Sequence, residues 1–419
     1  MNKKQEIKNR IDLINKGEVP TGYKNSWGYL YPEEWDLSTL NSLCSKVQKK
    51  NKENAQLQVL TNSATKGVIL QEEYFDREIV NNENTDGYYI VEAGDFMYNP
   101  RISAAAPAGP INRNNLGISG IASPLYSIFR AKQTTNTNFI ERYFESSFWH
   151  GYMKRVSNQG ARHDRLNLLD EDFYKMPIPQ PKVEEQEKIT EILSCCDKVI
   201  ELKENLLIEK KQEKKYLMQK LYTPKIDWIK CSVSKFGNVV TGNTPSTDIK
   251  EYYGTEYPWI TPSDINSNKY IYKGDRNLSN IGITKARLLP KDSVLVTCIA
   301  SIGKNAILKV KGSCNQQINA IIPNDSMSAD FIYYLIENNT LLLKKYAGTS
   351  ATSIINKDTF ENLVFKIPNN KQEQIKIAEI LSQFDKEIEL LEQELEQYKQ
   401  LKKSLSQLLL TGIVRVNEV

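Results

Sequence analysis

The chain has 419 residues, 40% of them hydrophobic and 25% charged, with 55 basic against 51 acidic side chains and a formal net charge of +4. That length leaves room for about two to three domains, each with a core of its own. No apolar run is long enough to span a bilayer and MNKKQEIKNR leads into no signal-peptide core, so a cytoplasmic protein without a membrane partner is expected.

The small net charge conceals an uneven distribution. Residues 101–165 carry roughly nine basic against three acidic side chains, and residues 266–357 roughly twelve against five. A basic excess that recurs in two places points to phosphate binding more than to a solvated surface. The six cysteines (Cys44, Cys195, Cys196, Cys231, Cys298, Cys314) lack C-x-x-C spacing and read as free thiols.

Residues 1–180 form the first globular segment, in which Trp35 follows Pro32 in YPEEWDLSTL. EAGDFMYNPR (residues 92–101) reads as a turn, an apolar strand and a polar loop, and GIASPLYSIFR (residues 120–130) as another strand. NFIERYFES places aromatic residues at helical spacing, where they serve as core and not as base-stacking groups. Gly160 begins a polar turn, and Phe173 precedes the closing strand KMPIP. The Ile178-Pro179 step ends the segment, because proline biases the residue before it away from helix.

Residues 181–223 read as a long helix that stops at Thr223-Pro224. Ile189, Leu193, Cys196, Ile200, Leu207, Leu217 and Leu221 share one seam, but Lys203, Lys210 and Lys214 fall on it too. Such a core is weak alone and calls for a partner helix.

Residues 224–368 repeat the frame of the first segment. Trp228 opens it in TPKIDWIKCSV; LPKDSVLVTC (residues 289–298) corresponds to EAGDFMYNPR and CNQQINAIIP (residues 314–323) to GIASPLYSIFR. DFIYYLIEN corresponds to NFIERYFES, Gly348 to Gly160, Phe360 to Phe173 and FKIP to KMPIP.

Residues 369–412 return to the helix, ending at Thr411-Gly412, and residues 413–419 form a tail. Residues 185–223 and 373–411 agree at roughly 23 of 39 positions with a constant offset of about 188 residues. Ile377, Leu381, Phe384, Ile388, Leu391, Leu395, Tyr398, Leu405 and Leu409 make a heptad seam, hence a coiled coil, with Lys402 in its one vacant place. Each helix is about 37 residues, or roughly 55 Å. Two such helices in one chain are expected to pair antiparallel and hold the globular segments apart; dimerisation between two chains is the competing use. The fold expected is α+β: two globular α/β-mixed segments separated by two long antiparallel helices in a coiled coil, with an internal pseudo-two-fold.

Motifs for chemistry fail in detail. Tyr98-Asn99-Pro100-Arg101 lacks the second proline and the aromatic of the adenine methyltransferase tetrapeptide, and no glycine-rich S-adenosylmethionine loop follows a strand. Ser301-Ile302-Gly303-Lys304 lacks the upstream glycine of a phosphate-binding loop, and Asn305 stands where Ser or Thr is needed. Glu201-Leu202-Lys203 matches half of a nuclease motif but lies on the long helix. With His150 and His163 the only histidines, a metal site or hydrolase triad has little material, so neither catalysis nor a bound metal is expected in this chain.

The whole chain resembles the specificity subunit of type I restriction-modification systems. The most specific signs are the Ile-Pro exits followed by EQxxI and IL, at residues 177–193 and 367–381. The second segment adds TGNTPS, YPWITPSDI and CIASIGKNAI with CNQQINAI; the first adds FMYNPR, GIASPLYSIF and GARHDRLN. The chain departs from the pattern in its seam lysines and in PQPKVEEQ before the first helix.

The resemblance implies two target-recognition domains, residues 1–180 and 224–368, each reading one half of a bipartite, gapped site in double-stranded DNA. The helical repeats, residues 181–223 and 369–412, would act as spacer and as dock for two modification (methyltransferase) subunits. Restriction (translocase and nuclease) subunits would join them. No cofactor is then expected in this chain, since S-adenosylmethionine, ATP and magnesium belong to the partners.

Basic and amide side chains in the loops are the candidates for DNA contact, since Arg and Lys can read guanine and Asn and Gln adenine. In the first segment these are Arg101, Asn112, Arg113, Lys154, Arg155, Asn158, Gln159, Arg162, His163 and Arg165. In the second they are Asn243, Thr244, Ser301, Lys304, Asn315, Gln316, Lys345, Thr349, Ser350 and Thr352. A homodimeric coiled-coil DNA-binding regulator, which would read a palindrome, is the alternative, and a self-contained methyltransferase a third. Under the first reading, deleting one heptad from either helical repeat changes the gap between half-sites or abolishes binding while leaving each half-site preference intact, as methylated-site sequencing would show.

Overall fold

A computed structural model describes residues 3–52, 57–74, 85–159, 164–266, 268–347 and 354–416. The chain divides into two compact units, Met1–Leu202 with Leu395–Val419, and Lys203–Glu394. Four helices frame these units: α1 (Thr137–Glu145), α2 (Val183–Leu221), α3 (Ala329–Asn338) and α4 (Lys371–Leu410). Among the described residues no helix is long and apolar enough to cross a membrane.

The first unit is built on a four-stranded antiparallel sheet in the order Cys44–Lys46, Ser127–Ala131, Phe96–Tyr98, Ile111–Arg113. In the second unit Gly237–Thr241, Ile318–Pro323, Ser293–Thr297 and Asn305–Leu308 are neighbours in the corresponding order, and Tyr270–Ile271 adds a parallel edge. The segments matched by sequence therefore become neighbouring central strands in both units. Ser293–Thr297 is buried at every position, which is why it reads as an apolar run and not as an alternating pattern.

A helix follows the sheet in each unit and buries its aromatic side. Phe139, Ile140, Tyr143 and Phe144 of α1 are buried, as are Phe331, Ile332, Tyr334 and Leu335 of α3. Both start at a capping side chain: Asn136 accepts from the Phe139 N–H at 3.1 Å and Ser328 from the Phe331 N–H at 3.4 Å. The aromatic residues of NFIERYFES are core, with Phe144 edge-on to Phe129 of the sheet at 5.7 Å between centroids.

Each globular part closes by pairing its opening and closing strands. Asp36–Thr39 runs antiparallel to Pro177–Gln180, and Ile229–Ser232 to Val364–Ile367. The Glu-Gln pair that begins each helical repeat then fixes the junction. Trp35 Nε1 donates to Glu185 at 3.1 Å and Trp228 Nε1 to Glu373 at 3.4 Å. Gln186 and Gln374, both buried, donate to the carbonyls of Pro181 at 2.9 Å and Pro368 at 3.1 Å. One residue thus holds the strand that opens the module and the next holds the strand that closes it.

The end of α4 docks in the first unit against the N-terminal hairpin, in which Tyr23–Ser26 pairs antiparallel with Tyr29–Pro32. Tyr23 donates to the Gly412 carbonyl at 2.5 Å. Gly412 adopts φ +67°, and a Cβ there would lie 2.5 Å from Pro32 Cγ, so both conformation and space require glycine. Arg415 continues the dock by pairing with Glu34 and Glu185 over the Trp35 ring.

The seam lysines are partnered. In the second unit Lys203, Lys210 and Lys214 of α2 meet Glu394, Glu387 and Asp385 of α4 at 2.5, 3.6 and 2.7 Å. One residue number falls as the other rises, so these parts of the helices run antiparallel. In the first unit Asp197 of α2 pairs with Lys402 of α4, while Ile189, Leu193 and Leu409 share a core. Burial pulls the Lys214 pKa down, but the Glu337 and Asp385 carboxylates outweigh it and leave the ammonium above its ordinary value. Lysine stems also cover apolar surface, as where Lys210 lies 5.4 Å from the Phe384 ring centroid.

Gln374→Leu strands the Pro368 carbonyl and the Ser328 N–H that Gln374 now accepts. It should lower stability by about 1–3 kcal/mol in denaturant unfolding, whereas Gln372→Leu, exposed on the same turn, should leave the midpoint where it is.

Candidate nucleic-acid interface

In the first unit four of the candidate positions assemble on one small ladder. Asn158 and Gln159 pair in backbone with Asn167 and Leu166, and next to them Arg165 bridges Arg101. The Arg101 guanidinium stays largely exposed and reaches Asp164 at 3.6 Å. Arg162 and His163 lie outside the described residues. Lys154 and Arg155 sit exposed on the helix His150–Val156 just before the ladder, with Arg155 donating to the Trp27 carbonyl.

Asn112 and Arg113 are committed inward instead. Asn112 Nδ2 donates to Asn62 Oδ1 at 2.7 Å and to the Ser63 carbonyl at 3.2 Å. Arg113 Nη1 donates to Asn138 at 2.9 Å and Glu141 at 3.2 Å, bracing the sheet against α1. His150 packs edge-on to Trp149, and burial, followed by the Lys154 charge, holds its pKa below the ordinary value.

In the second unit TGNTPS meets CNQQINAI. Thr244 Oγ1 donates to Gln316 Oε1 at 2.6 Å, Asn243 N–H to the Cys314 carbonyl at 3.0 Å, and Asn315 Nδ2 to Gln317 Oε1 at 3.0 Å. The approach is close enough to need Gly242, where a Cβ would lie 2.2 Å from the carbonyl oxygens of Cys314 and Asn315. Asn243 is spent as a latch: its Nδ2 donates to the Lys285 carbonyl at 2.9 Å and its Oδ1 accepts from Arg287 N–H at 2.8 Å. Thr244 and Gln316 remain exposed above that latch.

Ser301 and Lys304 share a tight turn after the strand Ser293–Thr297. Thr297 donates its hydroxyl to the carbonyls of Ser301 and Lys304, leaving the Lys304 side chain exposed. Lys345 is exposed on the helix Thr340–Tyr346. Thr349, Ser350 and Thr352 lie outside the described residues, but the chain beyond them returns to this turn: Ile354 bridges Ile299, and Ile355 N–H donates to the Cys298 carbonyl at 2.9 Å. The first unit does the same where Arg165 bridges Arg101 and Ile102 N–H donates to the Asp164 carbonyl at 2.9 Å. In both modules the loop after the central strand meets the chain just beyond the segment that Gly160 or Gly348 begins, and those segments themselves lie outside the described residues.

Two features escape a reading by residue type. Arg287 is exposed and holds the Thr241 carbonyl at 2.5 Å, placing a cation beside Thr244 and Gln316. A cleft of about 360 Å³ in the first unit is lined by Lys46, Tyr98, Pro100, Tyr126 and Leu166, next to the Arg101 ladder. The basic excess signalled the first; only the long-range pairing signals the second. Asn112→Ala should lower stability by about 1–3 kcal/mol by stranding its partners, while Lys304→Ala leaves the melting temperature unchanged and weakens DNA binding, as thermal melts and titrations with DNA would show.

The model of the type I restriction modification DNA specificity domain matches residues 32–212 and again 225–400. The specificity subunit of the type I restriction enzyme MjaIX from Methanocaldococcus jannaschii is 37% identical over 169 residues, 39% of this chain and 39% of that one. The EcoR124I/EcoR124II specificity subunit from Escherichia coli is 29% identical over 268 residues, 57% of this chain and 65% of that one. The chain thus spans less than two thirds of the length of these curated relatives. Among solved structures, the HsdS subunit from Thermoanaerobacter tengcongensis covers 92% of this chain and 98% of its own with a TM-score of 0.52. A chain from structural work on the assembly and conformational transition of the type I R-M system covers 92% and 100% with a TM-score of 0.65. Both are 15% identical to this chain and share its fold. Since the two family matches fall one on each module with its long helix, the chain belongs to the type I restriction-modification DNA specificity family.

Proposed function

We propose that this chain is the sequence-specific DNA-binding subunit of a type I restriction-modification complex, with each module reading one half of a bipartite, gapped site. The observation that carries this is the same sheet order built twice in one chain, each time with the loop after the central strand bridged to a residue far along the chain, Arg101 to Arg165 and Ile299 to Ile354. The frame is common to the two modules while the side chains offered there differ: Arg101 and Arg165 in one, Lys304, Thr244 and Gln316 in the other. A shared frame with different polar groups suits two different half-sites.

The long helices act as an antiparallel coiled-coil spacer and as the dock for two modification subunits, with an internal pseudo-two-fold relating the halves. Each leaves apolar side chains exposed, Leu202, Ile208 and Tyr216 on α2 and Leu390 and Leu401 on α4, which suits partner helices. Methyl transfer with S-adenosylmethionine, and ATP- and magnesium-dependent translocation and cleavage, fall to the partner subunits. This chain contributes no catalytic group. The homodimeric regulator is less favoured, because both modules of the chain match the type I restriction modification DNA specificity domain.

Co-expression with its modification subunit, followed by sequencing of methylated adenines, should return one asymmetric two-part motif with a fixed gap. A palindromic motif, or none, would refute the two-reader model. Arg101→Ala should weaken binding by about 1–3 kcal/mol and relax preference in one half of the motif only.

A further inference from the structure

Three elements converge on one charged cluster in each unit. In the first, Lys402 of α4 pairs with Asp197 of α2 and lies 3.6 Å from Glu145 of α1. Arg142 of α1 joins Asp197 at 2.6 Å and Glu145 at 2.9 Å, and donates to Ser194 at 3.0 Å. In the second unit Lys214 of α2 pairs with Asp385 of α4 at 2.7 Å and Glu337 of α3 at 3.2 Å. Tyr334 of α3 donates to Asp385 and, at 3.2 Å, to Ser382.

The members correspond position by position. Lys402 and Lys214 occupy the same place in the helical repeat, as do Asp197 and Asp385, and Ser194 and Ser382. Arg142 and Tyr334, and likewise Glu145 and Glu337, match in NFIERYFES and DFIYYLIEN. Arginine in the first cluster stands where tyrosine stands in the second, and the second also includes Lys269, which donates to Ser382 at 2.7 Å and to Tyr334 at 3.4 Å. The Lys402 and Lys214 side chains are 23% and 14% exposed, so neither is simply solvated.

We propose that Lys214 and Lys402 are positioning residues that lock the two long helices and the adjoining module helix in one register, and so restrict the DNA gap the protein accepts. This rests on the helices' proposed role as a spacer. An apolar seam is degenerate, because a slip by one heptad brings leucine against leucine again. In the observed register each of these lysines meets an aspartate from the opposite helix and a glutamate from the module at once, and a slip by one heptad toward Ala378 and Thr190 puts no acid opposite either of them. A slip in that direction would leave ammonium and carboxylates unpaired in partly buried positions, which is costly, whereas replacing such ion pairs by apolar groups is often tolerated. The same number of residues separates Asp197 from Lys214 in α2 and Asp385 from Lys402 in α4, so both clusters are met in the same register. What the cluster contributes is specificity of alignment more than stability.

The test is adenine methylation in cells carrying the full chain and its modification subunit. The triple variant Lys214→Leu, Asp385→Leu, Glu337→Gln removes the ion pairs of the second cluster and leaves Tyr334, Ser382 and Lys269 bonded to one another. It should keep a cooperative melt and both half-sites, yet raise methylation by about tenfold, relative to the original gap, at sites whose gap is about three base pairs longer or shorter, the span of one heptad. Lys214→Arg should keep the single gap. A folded triple variant with gap preference unchanged overturns the proposal. Should the triple variant fail to melt cooperatively, Glu337→Gln alone decides, with a smaller rise at the off-length gaps supporting the lock and no rise overturning it. Absence of any two-part motif from the unaltered protein would sink the functional reading and the lock together, whereas a two-part motif with gap-insensitive variants sinks the lock alone.

Discussion

A lysine placed on the apolar seam of a long helix must reach water or an anion to offset the cost of removing its charge from solvent, and both long helices of this chain place lysine there. Lys214 finds Asp385 and Glu337, and Lys402 finds Asp197 and Glu145. Each set of partners lies on two different elements, so satisfying the charge also fixes a helix pair and a module helix together. The pairs at Lys203 and Lys210 are more exposed on their acidic side and add less. Geometry, not the sum of ion pairs, is what these contacts supply.

The junction between module and helix is tied in a similar way. Glu185 and Glu373 hold the opening tryptophans, and Gln186 and Gln374 hold the carbonyls of the closing prolines. Two adjacent residues at a helix start therefore tie down both ends of a domain. A rigid junction is what a reader needs if its loops are to meet a groove at a defined place, because base-edge hydrogen bonds discriminate only when donor and acceptor are aligned.

Much of this was legible in the sequence, and the reason is periodicity. The two helical copies, their seam, the apolar runs 96–98 and 293–297 and the aromatic spacing of NFIERYFES are all local patterns, and local patterns translate directly into helix, strand and burial. Residue type alone was a poorer guide at the interface. Asn112, Arg113, Asn243 and Asn315 have the chemistry of base readers, but their hydrogen bonds go to Asn62, Glu141, Arg287 and Gln317. An amide on a buried sheet must satisfy itself within the protein, and no single-residue signal distinguishes it from one facing outward.

By itself the sequence determined that there are two modules and two long helices, and that the loops carry cations. Repetition, proline and glycine steps and charge are written along the chain, so they need no contact map. Only the tertiary structure decided which loops meet: that Arg101 lies against Arg165, that Thr244 reaches Gln316, and that the seam lysines are partnered and not gaps. Those facts depend on pairs separated by scores of residues, and a pair's energy exists only once the fold has closed the distance between its members.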